Sequence, residues 1–207
     1  TGVRFGDVYD EDHFDCKIID PVDLFMNTTP QKILVEGAQG FLLDIDHGTY
    51  PHCTSSSCAT YNIGSSGLRM SDVVESIGCC KIYHTYVGTR EMQEDDEIFD
   101  VIQKLGGEVG VTTGRQRQCL WLNLDDVRRG IYVNETTKLI INKCDIIEKV
   151  NEHLLANKET LKTKYKTAFN LICHDEVQGF DTFDEMKKFI EDNLDVPIVF
   201  SASPYEI

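Results

Sequence analysis

From Lys81 to Ser201 the chain alternates short apolar runs with stretches of helical spacing, an alternation that restricts it to an α/β architecture. Lys138–Asn142 reads KLIIN, a buried-type strand whose C-terminal end delivers Lys143-Cys144-Asp145. Lys81–Val87 alternates as a strand does and stops at Gly88, and Val196–Ser201 makes a last strand. Between them, Glu94–Leu105 carries Ile98, Val101, Ile102 and Leu105 at helical spacing, and Gly106-Gly107 stops it. Asn123–Tyr132 reads as a second helix. Thr182–Asn193 reads as a third, opening at Asp181-Thr182 and carrying Phe183, Met186, Phe189 and Ile190. Upstream, Lys32–Glu36 (KILVE) reads as a short strand, and Ser71-Asp72 as a helix start ahead of Val73, Val74 and Ile77. The expected fold is α/β, with a mixed, largely parallel central sheet flanked by helices and functional loops at strand C-termini.

Composition narrows the partners. A length of 207 residues suits one domain or a large piece of a bigger one, and 41% hydrophobic residues suffice for a core. The net charge of −15 repels phosphate backbones and anionic headgroups, so no nucleic-acid or membrane partner is expected. No apolar run is long enough to span a bilayer. The opening TGVRFGDVYD has neither a basic n-region nor an apolar h-region, and without an initiator Met the chain is expected to begin further upstream. The expected location is cytoplasmic. Eight cysteines are scattered without a CxxC pair, which reads as reduced core thiols rather than a zinc site. His47, His52, His84 and His174 form no metal pattern and read as structural, with only His47 placed to approach a ligand.

Three loops hold the residue types that bind small anions. In the first, Gly37 and Gly40 flank Gln39, and Asp44, Asp46 and the hydroxyl run Thr54–Ser57 follow. Glycines allow close backbone approach to a ligand, the Gln amide both donates and accepts, and the hydroxyls suit a phosphate; the alternative is a tight turn and a Ser-rich surface loop. Asp44 and Asp46 read more readily as solvated carboxylates than as ligands. The second loop, Gly106–Gln118, combines four glycines, Thr112, Thr113 and the pair Arg115 and Arg117. Guanidinium forks pair carboxylates and phosphates bidentately, so this loop suits capture of a dicarboxylate or phosphate. The third, Asn142-Lys143-Cys144-Asp145, is an NKxD pattern at a strand end. An Asp there accepts from guanine N1–H and its exocyclic amine, while a Lys stem packs along the base.

Together and in this order these segments resemble adenylosuccinate synthetase. VEGAQGFLLDIDHGTYPHCTSS (Val35–Ser56) is similar to that family's purine-nucleotide loop, GGEVGVTTGRQRQCLWL (Gly106–Leu122) to its aspartate loop, NKCD to its guanine turn and VFSASP (Val199–Pro204) to the segment closing over guanine. VRFGDVYDEDHF (Val3–Phe14) resembles a mid-chain stretch of the family, so the resemblance covers nearly the whole sequence. It implies a purine nucleotide ligase that joins aspartate to the 6-position of IMP with GTP and Mg²⁺, the whole of residues 1–207 forming the C-terminal part of one such domain.

By position, the resemblance makes Gln39 the catalytic contact at the purine 6-position and places Thr54, Val87 and Arg115 with it on IMP. Thr112, Thr113, Arg115 and Arg117 would hold aspartate; Arg117, Lys143, Asp145, Ser201 and Pro204 would hold GTP. The family's GDEGKGK-type loop and GHT motif are not in these residues and would lie ahead of Thr1. The chain alone is therefore expected to be inactive, with the Mg²⁺ ligands mainly in that N-terminal half and none here. The expected partners are IMP, aspartate, GTP, a second copy in a homodimer and a possible companion N-terminal chain. Local departures stand at Ser55–Asn62, at Tyr86–Asp95, and at Gln116 and Gln118, where the family usually has Arg. A phage-type variant aminating dGMP, a non-catalytic nucleotide-binding relative and, from NKCD alone, a GTPase-like domain are the alternatives.

Overall fold

The computed structural model describes residues 19–27, 32–110 and 114–202. Its contacts separate into two compact units, Thr1–Ala38 with Tyr61–Val74, and Gln39–Thr60 with Glu75–Ile207.

In the described part of the first unit, α1 (Pro21–Asn27) starts where Asp20 accepts the Val22 N–H, and 3-10 turns follow at Thr60–Ser66 and Met70–Asp72. Ser71-Asp72 therefore closes a 3-10 turn instead of opening a helix. Arg69 clamps the Asp72 carboxylate with two hydrogen bonds, and Val73 is already extended. Lys32–Glu36 is not a strand either: it pairs with no other described residue and leaves Ile33, Leu34 and Val35 exposed. An apolar run becomes a strand only when a neighbour satisfies its backbone.

The second unit holds the buried core and two sheets. β1 (Ile77–Lys81), β4 (Lys138–Asn142) and β7 (Ile198–Phe200) pair in parallel in the order β1-β4-β7. β2 (Tyr83–Tyr86), β3 (Gln118–Asn123), β5 (Asn170–Cys173) and β6 (Glu176–Gly179) form a mixed sheet in the order β2-β3-β5-β6. The expected α/β architecture thus holds a parallel and a mixed sheet, which run directly into each other at Ile82. β1 lies along β4 up to Lys81, Ile82 donates to the Asn142 carbonyl at 2.9 Å, and β2 then turns antiparallel onto β3.

Helices cover the sheets as amphipathic spacing dictates. α2 (Glu97–Gly106) starts at an Asp96 cap and ends at Gly107 in the left-handed region (φ 62°). It begins later than the spacing suggests because Glu94 is occupied by Lys164 and the Tyr165 hydroxyl. α3 (Leu124–Val133) is capped by Asn123, and α5 (Phe183–Asn193) by a Thr182/Glu185 capping box. α4 (Cys144–Ala156) follows Lys143 with no side-chain cap, so nothing in the sequence marks its start. It buries Ile146, Ile147, Val150 and Leu154. At the core centre, Trp121 meets Phe99 (centroids 5.1 Å) and Tyr165 (5.0 Å). Seven described cysteines carry no disulfide. Cys119, Cys144 and Cys173 are buried, whereas Cys79 is exposed, so core packing accounts for only part of the set.

Candidate functional site

Three parallel strands end side by side. Lys81 pairs with Asn142, and Ile141 pairs with Phe200, so the residues leaving β1, β4 and β7 share one edge. Open α/β sheets bind ligands beyond the carboxyl ends of their strands. Lys143 leaves β4 in the left-handed conformation (φ 64°) and sends its Nζ to the Gly106 carbonyl at 3.0 Å. Cys144 N–H donates to the Ser201 carbonyl at 3.2 Å, and Ser201 N–H to the Ile141 carbonyl at 2.9 Å. Asp145 occupies the first turn of α4, ion-paired with Lys149 at 2.7 Å. The NKxD turn, buried Ser201 and the root of the Arg loop are thereby bonded into one cluster.

Glu108 organises that root. It is 1% exposed, and its carboxylate accepts from Lys81 Nζ at 2.7 Å, the Tyr83 hydroxyl at 2.8 Å and Arg117 Nη1 at 3.1 Å. Burial alone would raise its pKa; the bonds from Lys81 and Tyr83 and the two cationic charges outweigh burial and lower it. Burial lowers Lys81, and burial plus the Glu108 bond raises Tyr83. Gly106 makes the arrangement possible, since a Cβ there would sit 2.4 Å from the Tyr83 oxygen. Arg117 is held twice, because its N–H also donates to the Glu108 carbonyl at 2.9 Å. Arg115 is exposed, its carbonyl accepts from Gly110 N–H, and Gly114 beside it turns the chain at φ 64°. Thr112, Thr113 and Pro204 lie outside the described residues.

A second cluster shapes the Gln39–Thr54 loop. Asp44 is not a solvated carboxylate. It is fully buried and accepts from Asp46 N–H (2.8 Å), His47 N–H (3.0 Å), the Ser57 hydroxyl (2.9 Å) and Cys58 N–H (2.5 Å). Burial would raise it, but those four donors together lower its carboxyl to about 2. Thr54 N–H donates to the Leu43 carbonyl at 2.7 Å, which sets the half-buried Thr54 beside this knot. His47 stacks on Phe41 (centroids 5.6 Å). In the turn ahead of it the positive φ falls on Gln39 (69°), while Gly37 and Gly40 have nothing within 4 Å of where a Cβ would stand. Gln39 and Val87 are exposed on their own loops, apart from the hydrogen-bonded cluster at the strand ends.

Gly48 closes the knot. A Cβ there would stand 2.5 Å from the Asp44 carbonyl and 2.7 Å from that of Leu42. Gly48→Ala is expected to destabilise the protein by about 2–3 kcal/mol, because backbone must shift. A melting temperature unchanged within a degree would show that the loop yields freely.

Glu108, Lys81 and Tyr83 were not singled out from sequence. The available signal was a lone acid set among glycines beside two arginines. The structure also gives two departures from the family pattern one common role. Gln118 accepts from Met92 and Gln93 N–H and donates to the Arg90 carbonyl, while Gln93 accepts from Cys119 N–H and Gln103. Gln118 thus stitches the Arg90–Gln93 stretch to the first residues of β3.

Residues 2–192 match the adenylosuccinate synthetase family. The adenylosuccinate synthetase of Chlorobium phaeobacteroides is 32% identical, aligned over 93% of this chain and 55% of its own length. The solved, fully ligated adenylosuccinate synthetase of Plasmodium falciparum superposes with a TM-score of 0.70 at 26% identity, covering 90% of this chain and 52% of that one. Cyanophage S-2L succinoaminodeoxyadenylate synthetase, solved with dGMP and with dATP as energy donor, shares the fold at a TM-score of 0.52 and 18% identity. The chain spans about half the length of the curated relatives it matches. It belongs to the adenylosuccinate synthetase family.

Proposed function

We propose that this chain supplies the C-terminal part of a purine nucleotide ligase that joins aspartate to the 6-position of IMP at the expense of GTP. The observation carrying this reading is the bonded cluster at the ends of β1, β4 and β7, where the NKxD turn, Ser201 and the base of the Arg loop meet. Asp145, with Lys143, Ser201 and Pro204, reads guanine; Arg117, Arg115, Thr112 and Thr113 take aspartate; Gln39, Thr54, Val87 and Arg115 take IMP. In this reading the γ-phosphoryl passes from GTP to the purine 6-oxygen, and the aspartate amine then displaces phosphate at that carbon. Gln39 holds the purine at its 6-position. Arg117, fixed by Glu108, holds a carboxylate of aspartate so that its amine faces that carbon.

Mg²⁺, which the family implies, would neutralise phosphate charge. Among the described residues the one close group of ligating side chains contains a thiol and an imidazole, which does not suit a cation selecting oxygen donors. No step is therefore assigned to residues of this chain through the metal. Turnover is proposed to require the remaining half of the family's length, and the enzyme to act as a homodimer.

The test is phosphate release with GTP, IMP, aspartate and Mg²⁺, the remaining half being present. Release requiring all three substrates is expected. Turnover with dGMP and none with IMP would overturn the acceptor. Binding of GTP or IMP with no product under these conditions would overturn the ligase reading in favour of a nucleotide-binding module. Asp145→Asn is expected to weaken GTP binding about 10- to 100-fold, since it removes a charged acceptor; an unchanged preference for guanine over adenine would remove Asp145 from the site.

A further inference from the structure

We propose that Asp125, Cys173 and His174 form a binding site for a divalent transition metal of the zinc type, on the opposite flank of β3 from β2. Parallel pairing of Asn123 with Ile172 sets the start of α3 beside the turn that leaves β5. The ligand atoms of these three side chains all lie within 4.8 Å of one another. Cys173 Sγ and His174 Nδ1 are 3.7 Å apart. Two donors on one tetrahedral zinc, with bonds of about 2.3 Å to sulfur and 2.0–2.1 Å to nitrogen, stand about 3.6 Å apart. The pair is therefore already at the spacing of a shared metal.

Asp125 is held in place by its neighbours. His174 N–H donates to its Oδ2 at 2.6 Å and Arg128 to its Oδ1 at 2.7 Å, the kind of outer contacts that orient a ligating carboxylate. Cys173 approaches from the buried side, 2% exposed, while His174 is exposed at the turn, so the site opens to solvent through the imidazole. A thiolate, an imidazole and a carboxylate leave a fourth position for water, and they select zinc, cobalt or nickel over magnesium or calcium. On binding, the Cys173 S–H bond breaks, sulfur bonds the metal, and one proton leaves to solvent. Asp125 and His174 sit 49 positions apart in sequence, which is why no local spacing points to the site. The bound metal would clip the start of α3 to the β5–β6 turn, independently of the ligase reading.

The test titrates Co²⁺ into the reduced full chain. One equivalent should bring up a thiolate-to-cobalt charge-transfer band that Zn²⁺ abolishes and excess Mg²⁺ leaves intact. Cys173→Ser should lose the band, and Cys79→Ser, at the exposed thiol, should keep it. His174→Asn retains a residue that tolerates the left-handed turn and should weaken binding at least tenfold with the far-UV spectrum unchanged. Absence of a band in the unmodified chain, a band surviving in Cys173→Ser, or undiminished affinity in His174→Asn would each overturn the proposal. Should Cys173→Ser fail to fold, the histidine variant alone decides.

Discussion

Replacing Glu108 by alanine is expected to lower the free energy of unfolding by about 3–5 kcal/mol. The side chain is 2% exposed and receives Lys81, Arg117 and Tyr83. Its removal leaves two cations without their counter-charge, and the Tyr83 hydroxyl, inside a side chain 1% exposed, without an acceptor. A buried ion pair adds little over a hydrophobic replacement of both partners, but deleting one partner strands the other, and here the stranded charge is doubled. Glu108→Gln keeps the shape and the Tyr83 acceptor and should lose less. Chemical denaturation with an unchanged slope measures both variants. A loss below about 1 kcal/mol for Glu108→Ala would show that solvent reaches Lys81 and Arg117 freely. Under the ligase function proposed above, the same variant should raise the KM for aspartate more than it lowers kcat, because Arg117 loses its anchor.

The second large effect is expected at Asp44. Asp44→Ala strands three backbone N–H groups and the Ser57 hydroxyl in a buried knot. Bonds to a charged acceptor contribute roughly 1.5–3 kcal/mol each when lost singly. Partial rehydration of the loop lowers the sum, so a net loss of about 3 kcal/mol is expected. The pH dependence has a definite sign. The carboxyl falls from its ordinary 3.8 to about 2 on folding, so its contribution is complete above about pH 4 and fades as pH falls toward 2. Asp44→Asn, which cannot titrate, should flatten stability across that window. A wild-type profile equally flat would show that the donors do not favour the charged form.

What was legible in the sequence follows from where the forces are local. β4 is readable to the residue because its centre, Leu139-Ile140-Ile141, is apolar and is bounded by the polar Lys138 and Asn142. α3 and α5 were readable because Asn123 and Thr182 carry their own start signals. α4 was not, since the left-handed Lys143 replaces a capping side chain. Lys32–Glu36 and Ser71-Asp72 misled for the opposite reason: each has the right local pattern, but strand and helix are settled by partners the pattern does not contain. In the proposed site, Arg117, Lys143 and Asp145 stand out by type and position, and Ser201 only through the family resemblance. The residues that brace them, Glu108, Lys81 and Tyr83, are joined only by folding, across a separation of 27 positions between Lys81 and Glu108. Asp44 reads as solvated in the sequence because a carboxylate alternating with apolar neighbours shows none of the four donors that folding brings to it.

The run from β1 through Ile82 to β2 indexes one sheet against the other. Lys81 and Tyr83 stand on either side of the bend at Ile82, and both meet the one carboxylate of Glu108. Ile82, between them, is fully buried. A slip of a single residue along β4 would carry Lys81 and Tyr83 away from the acid. Glu108 is thus a key that fits one alignment of the strand and rejects its neighbours on either side. The alignment it accepts is the one that brings the ends of β1, β4 and β7 level.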